Sequence, residues 1–515
     1  MLVPSFLEQT ASRTPDKTAL IRGNDRVTFA ELERRSNRLA HALRSLGVGR
    51  GDRVVIHLGN TIDCVASIFA VLKAGGVFVM VNPTTKSPKL AFLLDHSRAA
   101  AIILPSRSLG EMRPMLAERK HLRAVITSGP GTGETEQFSP VSWAMDDLLE
   151  RYAQRTSPPE IGTIDMDLAS LLYTSGSTGS PKGVMLTHLN MVSAARSIIT
   201  YLENQSDDVI LNVLPLSFGY GLYQVLMAAW FGGTVVLEPS LAYPHAVLSR
   251  LVQERATGLP LVPTMAALLL QMDLSKYDLS SLRYITSAGA ALPVEHLERL
   301  RQIVPRARII PMYGQTECAR VSYLPADQVD QRPASVGRGM PNQEVAVVDA
   351  LGKRVAPGET GELVVRGSHV MKGYWDMPEA TAAALRPGPF DDDRPVLHTN
   401  DLFRVDEEGY LYFVARKDDI IKSRGEKVSP REVEDVIHRH PAVAETAVVG
   451  VPDAILGEAI KAFVVTKPGF NLDAKEILGH CAGRLEDFMV PQFVEFRDEL
   501  PKSDNGKILK QELKV

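Results

Sequence analysis

Tyr173-Thr174-Ser175-Gly176-Ser177-Thr178-Gly179-Ser180-Pro181-Lys182-Gly183 is the stretch on which the reading of this chain turns. Its eleven positions hold three glycines, five Ser/Thr residues and one lysine. Glycines let the backbone approach a ligand and present N–H groups, hydroxyls add donors, and Lys182 adds a point charge. Together these are the chemistry of a polyphosphate cradle. The order differs from the G-x-x-x-x-G-K-[ST] phosphate loop, because Gly183 follows the lysine. The same composition also suits a flexible linker, and composition alone leaves both readings open. An apolar, strand-like run at 168–172 precedes the segment and an amphipathic helix over 189–202 follows it.

Around this segment, helical and strand patterns alternate. Thr28-Phe29-Ala30-Glu31 reads as a capping box, with Leu32, Leu39, Leu43 and Leu46 on one helical face and Gly47 as the stop. Strand-like runs occur at 53–58, 77–81, 100–104, 124–127, 209–214, 234–237, 283–286 and 307–311. Such alternation predicts parallel sheets with helices on their faces. Residues 128–139, polar and Gly-rich, read as a surface loop. Beyond Tyr313 the pattern changes to antiparallel strands at 345–348, 361–366 and 410–414. The last hundred residues read as a separate α+β block: helix 428–439, strands 442–451 and 459–466, helix 474–485.

Composition excludes several classes. The 515 residues are 45% apolar and 23% charged, ordinary for a globular enzyme. The net charge of −4 argues against a dedicated nucleic-acid or polybasic membrane-binding protein. Cys64, Cys318 and Cys481 are scattered singly, which fits no disulfide framework or zinc pair and suits a reduced, cytoplasmic compartment. His438 and His440, two apart, fall on different helix faces and read as solvated surface rather than a metal site. No apolar run approaches the roughly 18 residues of a membrane span, and Met1–Arg13 is not expected to be a signal peptide.

Further segments, read together, sharpen the choice. Ser287-Ala288-Gly289-Ala290-Ala291, Tyr313-Gly314-Gln315-Thr316-Glu317, Leu397-His398-Thr399-Asn400-Asp401, Arg416 through Lys422 and Pro501 through Ile508 follow the Tyr173–Gly183 string in order. This series closely resembles the motifs of the adenylate-forming superfamily: acyl- and aryl-CoA synthetases, adenylation domains of nonribosomal peptide synthetases, and luciferases. The resemblance covers nearly the whole chain. It implies an α/β fold: a large N-terminal domain of parallel-sheet subdomains plus a small β-barrel (1–416), and a small mobile C-terminal α+β lid (417–515) with its hinge near Asp418.

The resemblance also assigns roles. Thr174, Ser175, Gly176, Ser177, Thr178, Gly179 and Lys182 are implied to hold the phosphates of ATP. Gly289, Ala290 and Ala291 form the adenine-contacting turn, and Tyr313 and Gly314 lie beside the base. Thr316 offers a hydroxyl to the α-phosphate and Glu317 a ligand to Mg²⁺, which takes one or two carboxylates plus phosphates and water. Asp401 accepts from the ribose hydroxyls, with Arg416 as donor. Lys507 reaches from the lid to the substrate carboxylate and α-phosphate. The lid turns at Asp418 between half-reactions, and Gly425 lines the thiol channel. Three departures stand out: Asn400 replaces the usual glycine, Ala415 a second glycine, and Met489 a lysine. Asn tolerates unusual backbone angles, so the turn is expected to survive.

Leu214 through Gly221 matches the segment lining the acid pocket, giving Phe218, Gly219, Tyr220 and Met312 as candidate walls, with Leu222 and Val321 beside them. Peptide-synthetase domains carry an aspartate where Gly219 stands, paired with the substrate ammonium. A buried ammonium without a counter-charge is costly. Gly219 therefore favours an uncharged acyl or aryl acid. The implied reaction is ATP-dependent formation of an acyl-adenylate, release of pyrophosphate and transfer to a phosphopantetheine thiol, with CoA favoured. A separate carrier protein as acceptor is the alternative, and a nucleotide-binding regulator without turnover a second one.

Overall fold

The structure is a computed structural model that describes residues 1–130, 140–174, 181–390, 394–423, 426–453, 457–503 and 506–514. The Thr28 hydroxyl accepts the Glu31 N–H at 3.2 Å, and Glu31 Oε2 accepts the Thr28 N–H at 2.7 Å. This reciprocal cap opens the helix Phe29–Ser45, as the spacing predicts. Leu32, Leu39 and Leu43 are buried on its inner face.

Two large sheets carry the first three hundred residues. In one, strands Thr18–Arg22, Thr234–Leu237, Val209–Asn212, Gly258–Leu261, Tyr284–Ser287 and Arg308–Tyr313 run parallel in that spatial order. In the other, Leu168–Thr174, Val77–Met80, Arg53–Ile56, Ala99–Pro105, Ala124–Ser128 and Val141–Ala144 do the same. Strands such as Val77–Met80 and Thr234–Leu237 are buried at every residue. Helices cover both faces of a parallel sheet, so its strands read as unbroken apolar runs.

Beyond Tyr323 the chain turns antiparallel. Gln343–Val348, Thr360–Gly367, Val396–Val405, Leu385–Arg386 and Leu411–Arg416 form a five-stranded sheet where the small barrel is expected. The last block is α+β: strands Ile421–Ser423, Glu426–Val428, Val443–Asp453, Gly457–Thr466 and Phe493–Phe496, with helices Pro430–His438 and Ala474–Ala482. Its own core includes Ile421, Val433, Ile437, Val448, Ile460 and Ile477. Met489, the departure from a lysine, is buried in this core. Ala415 is likewise buried, in the strand opposite Leu402.

Two expectations are corrected here. The helix expected over 428–439 starts only at Pro430, after the strand Glu426–Val428. Pro430 disfavours helical angles at Ser429 and suits the first helical turn. His438 is not solvated surface. Its ring meets His296 of the large domain edge-on, with centroids 6.2 Å apart. The small block also touches the large one where Ser429 Oγ donates to Val414 O at 2.7 Å and Thr264 Oγ1 to Gly506 O at 3.1 Å. Of the expected loop, residues 131–139 lie outside the described residues.

Candidate active site

Parallel sheets leave their ligand crevice at the carboxyl ends of the strands. Here those ends deliver Phe218, Val262, Gly289 and Tyr313. The loop after Tyr313 is tight. A Cβ on Gly314 would stand 2.6 Å from Ala319 O and 2.7 Å from Arg320 Cα, so only glycine fits. Tyr313 Oη donates to Asp401 Oδ2 at 2.6 Å, and Gln315 Nε2 donates to the same oxygen at 2.7 Å. Gln315 Nε2 also reaches Thr399 O at 2.7 Å, tying the Tyr313 loop to the antiparallel sheet. Asp401 sits opposite Arg416 in the strand register, with Arg416 Nε 3.4 Å from Oδ1. Burial raises the Asp401 pKa, while Arg416, the two donors and Lys507 oppose the rise. Oδ1 has no hydrogen-bond partner.

Glu317 closes the loop. Its backbone carbonyl accepts from Met371 N at 2.7 Å, and its Oε1 accepts from Tyr374 Oη at 2.7 Å. Lys182 Nζ lies 5.3 Å from the centre of the Tyr374 ring. Strand Gly373–Tyr374 pairs with Lys182–Thr187, which pairs in turn with Leu168–Thr174. Thr174 thus stands opposite Lys182, at the ends of the two antiparallel strands that flank the phosphate-loop candidate. Ser175, Gly176, Ser177, Thr178 and Gly179 lie outside the described residues, as does Gly425.

The Ser287–Ala291 turn leaves the sheet through Gly289 at φ +91°, with Gly289 and Ala290 exposed. A Cβ on Gly289 would stand 3.4 Å from Val262 Cγ1 and 3.6 Å from Phe218 Cζ. Gly506, at φ +75°, docks on the same Val262–Thr264 corner. That contact anchors the segment of Lys507 beside the Val262 corner on which Gly289 also closes. Desolvation lowers the Lys507 pKa and Arg416 lowers it further, while Asp401 and Asp419 oppose. Asn400 adopts φ +58°, as its side-chain type allows. Its Nδ2 donates to Asp418 Oδ2 at 2.8 Å, so the glycine replacement clasps the expected hinge.

Comparison with known proteins fits this geometry. Residues 7–375 match the model of the AMP-binding enzyme family, and residues 432–507 that of the AMP-binding enzyme C-terminal domain. The chain belongs to the adenylate-forming, AMP-binding enzyme superfamily. It is 34% identical to a long-chain-fatty-acid–CoA ligase of Bacillus subtilis, covering 99% of this chain and 93% of that one. It is 37% identical to a feruloyl-CoA synthase of an Amycolatopsis species, covering 99% and 98%. The crystal structure of the anthranilate CoA ligase AuaEII in complex with anthranoyl-AMP superposes with a TM-score of 0.90 at 28% identity, covering 100% and 96%.

This AMP-binding enzyme also holds residues that sequence reasoning passed over. Gln315 is the variable position of its motif, and Tyr374 belongs to none of the quoted segments. Arg320 is the third. On the acid side, Tyr220 is buried and its hydroxyl meets Thr286 Oγ1, while Phe218 packs edge-on against it at 6.2 Å. Met312 Sδ accepts from Tyr201 Oη at 3.0 Å. Gly219 opens the helix Gly219–Phe231, and Leu222 and Val321 lie fully in the main core. Among these groups sits the Arg320 guanidinium, its Cζ 4.9 Å from the Tyr220 ring centre. No pattern of spacing marks a lone arginine after a glutamate loop. The signal is three-dimensional.

Proposed function

We propose that this chain activates a carboxylic acid with ATP and passes the acyl group to the thiol of CoA. It is an AMP-forming acid–CoA ligase. In the first half-reaction a carboxylate oxygen attacks the α-phosphorus, the bond to the bridging oxygen breaks, and pyrophosphate leaves. In the second, the thiol sulfur attacks the acyl carbonyl, the bond to AMP breaks, and the thiol proton is lost.

The observation that carries this reading is the docking of Gly506, next to Lys507, on the Val262–Thr264 corner. Asp401 presents its unpartnered Oδ1 to the ribose hydroxyls, with Arg416 as the neighbouring donor. Lys507 sets positive charge against the carboxylate and α-phosphate as charge shifts between them, the placement that lowers such a barrier most. Thr316 adds a hydroxyl, Lys182 and residues Thr174 through Gly179 hold the outer phosphates, and Gly289–Ala291 borders adenine.

Glu317 fits a Mg²⁺ ion. Its Oε1 is fixed by Tyr374, and no hydrogen bond or ion pair among the described residues occupies Oε2. A magnesium ion there supplies charge neutralisation of the polyphosphate. The lid, residues 417–515, turns about Asp418 for the second half-reaction, bringing the Gly425 segment to the site.

Pyrophosphate release against aliphatic, aryl, hydroxy and amino acids tests the first step. Adding CoA, or a carrier protein bearing phosphopantetheine, to the preformed adenylate separates the two acceptors. Turnover with α-amino acids alone would count against the Gly219 reading.

A further inference from the structure

Arg320 is 4% exposed. Its Nε is buried without an acceptor, and no carboxylate among the described residues lies within ion-pair distance of the guanidinium. A buried, unpaired charge is strongly disfavoured unless something completes it. The groups around it are neutral. Tyr220 offers its ring face, and the guanidinium hydrogen-bonds the Tyr201 hydroxyl, which itself donates to Met312 Sδ. Arg320 opposes the burial-driven rise in pKa of Tyr201, Tyr220 and Tyr223. None of the three gives it a countercharge.

Position narrows what does. The Arg320 Cα closes on Gly314 of the Tyr313–Glu317 loop. The guanidinium lies against the Tyr220 ring, 4.9 Å from its centre, in the segment the resemblance implies as a wall of the acid pocket.

We propose that Arg320 pairs with a second carboxylate at the far end of the acid, so that the substrate is a dicarboxylic acid. This rests on the ligase reading of the same site. It replaces the expectation of an uncharged acid, which followed from Gly219 alone. Gly219 excludes a countercharge for an ammonium, whereas Arg320 is the countercharge for an anion. The planar guanidinium holds a carboxylate by two parallel N–H···O bonds.

The test compares acids of equal length ending in methyl or in carboxylate. With the wild-type enzyme, the carboxylate-ended acid should be favoured in kcat/KM for pyrophosphate release by about 10² or more, as for a site whose polar group is otherwise left unpaired. Arg320→Met should abolish that preference, chiefly through KM, and Arg320→Lys should keep part of it. The melting temperature of Arg320→Met should equal or exceed that of wild type, because an apolar side chain in place of an unpaired buried charge is neutral or stabilising. Preference of the wild type for methyl-ended acids overturns the proposal, and so does an Arg320→Met enzyme with the wild-type ratio. If that variant does not fold, the wild-type ratio decides alone. Pyrophosphate release with neither acid would instead sink the ligase reading. Calorimetric binding of the two acids to the wild type then still judges Arg320, and equal affinity rejects it.

Discussion

The nucleotide side and the acid side of the site treat a buried charge in opposite ways. Asp401 is 5% exposed and meets Tyr313, Gln315 and Arg416. Arg320 is equally buried and meets no carboxylate among the described residues. The first has its countercharge and two donors from the protein and keeps only Oδ1 without a hydrogen bond, as suits a nucleotide that is the same in every turnover. The second is left for the ligand to complete, which makes the unpaired group a selector. Changes on the nucleotide side should cost the same for every acid. Changes at Arg320 should depend on which acid is offered.

The largest effect is expected at Lys507, where the two sides meet. Lys507→Ala should slow adenylate formation by about 10² or more, the scale for losing a group that stabilises developing charge. Thioester formation from preformed adenylate should be spared, and the loss should be alike for all acids. Equal loss in both half-reactions would remove Lys507 from its role. Next comes Tyr374→Phe, which frees Glu317 Oε1. Apparent Mg²⁺ affinity, read from pyrophosphate release against magnesium concentration, should fall about 10-fold or more, as for loss of a hydrogen bond that orients a metal ligand. An unchanged magnesium curve would separate Glu317 from the metal.

A smaller effect concerns the docked face that delivers Lys507. Burial holds His296 down to about 4 and His438 to about 3, and Arg299, Arg431 and Lys467 push the same way. Separating the two faces wets both rings and returns them toward about 6.5. The separated state therefore binds more protons, and docking is full above about pH 6.5 and weakens as pH falls toward 4. Adenylation should decline through that window more steeply than thioester formation. His438→Gln should flatten the difference; parallel profiles in wild type would argue against it. The smallest effect is at the hinge. Asn400→Gly removes one exposed hydrogen bond to Asp418, worth a change of a few-fold at most in the ratio of the two half-reaction rates. Asn400→Asp sets two carboxylates together and should shift that ratio the same way.

The capping box at Thr28, the apolar strands and the left-handed angle at Asn400 were legible in the sequence, because each depends on neighbours within a few positions. The motifs of the proposed nucleotide site were legible as well, since they are local: Tyr313 through Glu317 is one loop and Thr399 through Asp401 one turn. The Arg320 site was not. It is assembled from residues 201, 220, 286, 312 and 320, which two helices, two strands and the loop after Tyr313 bring together. His438 was misread for the same reason, since its partner is 142 positions away in the large domain.

By itself the sequence determined the class of enzyme and the parallel α/β architecture with its small α+β companion. Hydrophobic periodicity, capping and loop chemistry act over short stretches of chain, so they can be read along it. Only the tertiary structure decided that Thr174 pairs with Lys182 across two antiparallel strands, that Asn400 clasps Asp418, and that an arginine without a carboxylate partner among the described residues lies against Tyr220. Whether a buried charge has a partner depends on what folding brings within a few ångströms, and no order of residues states that.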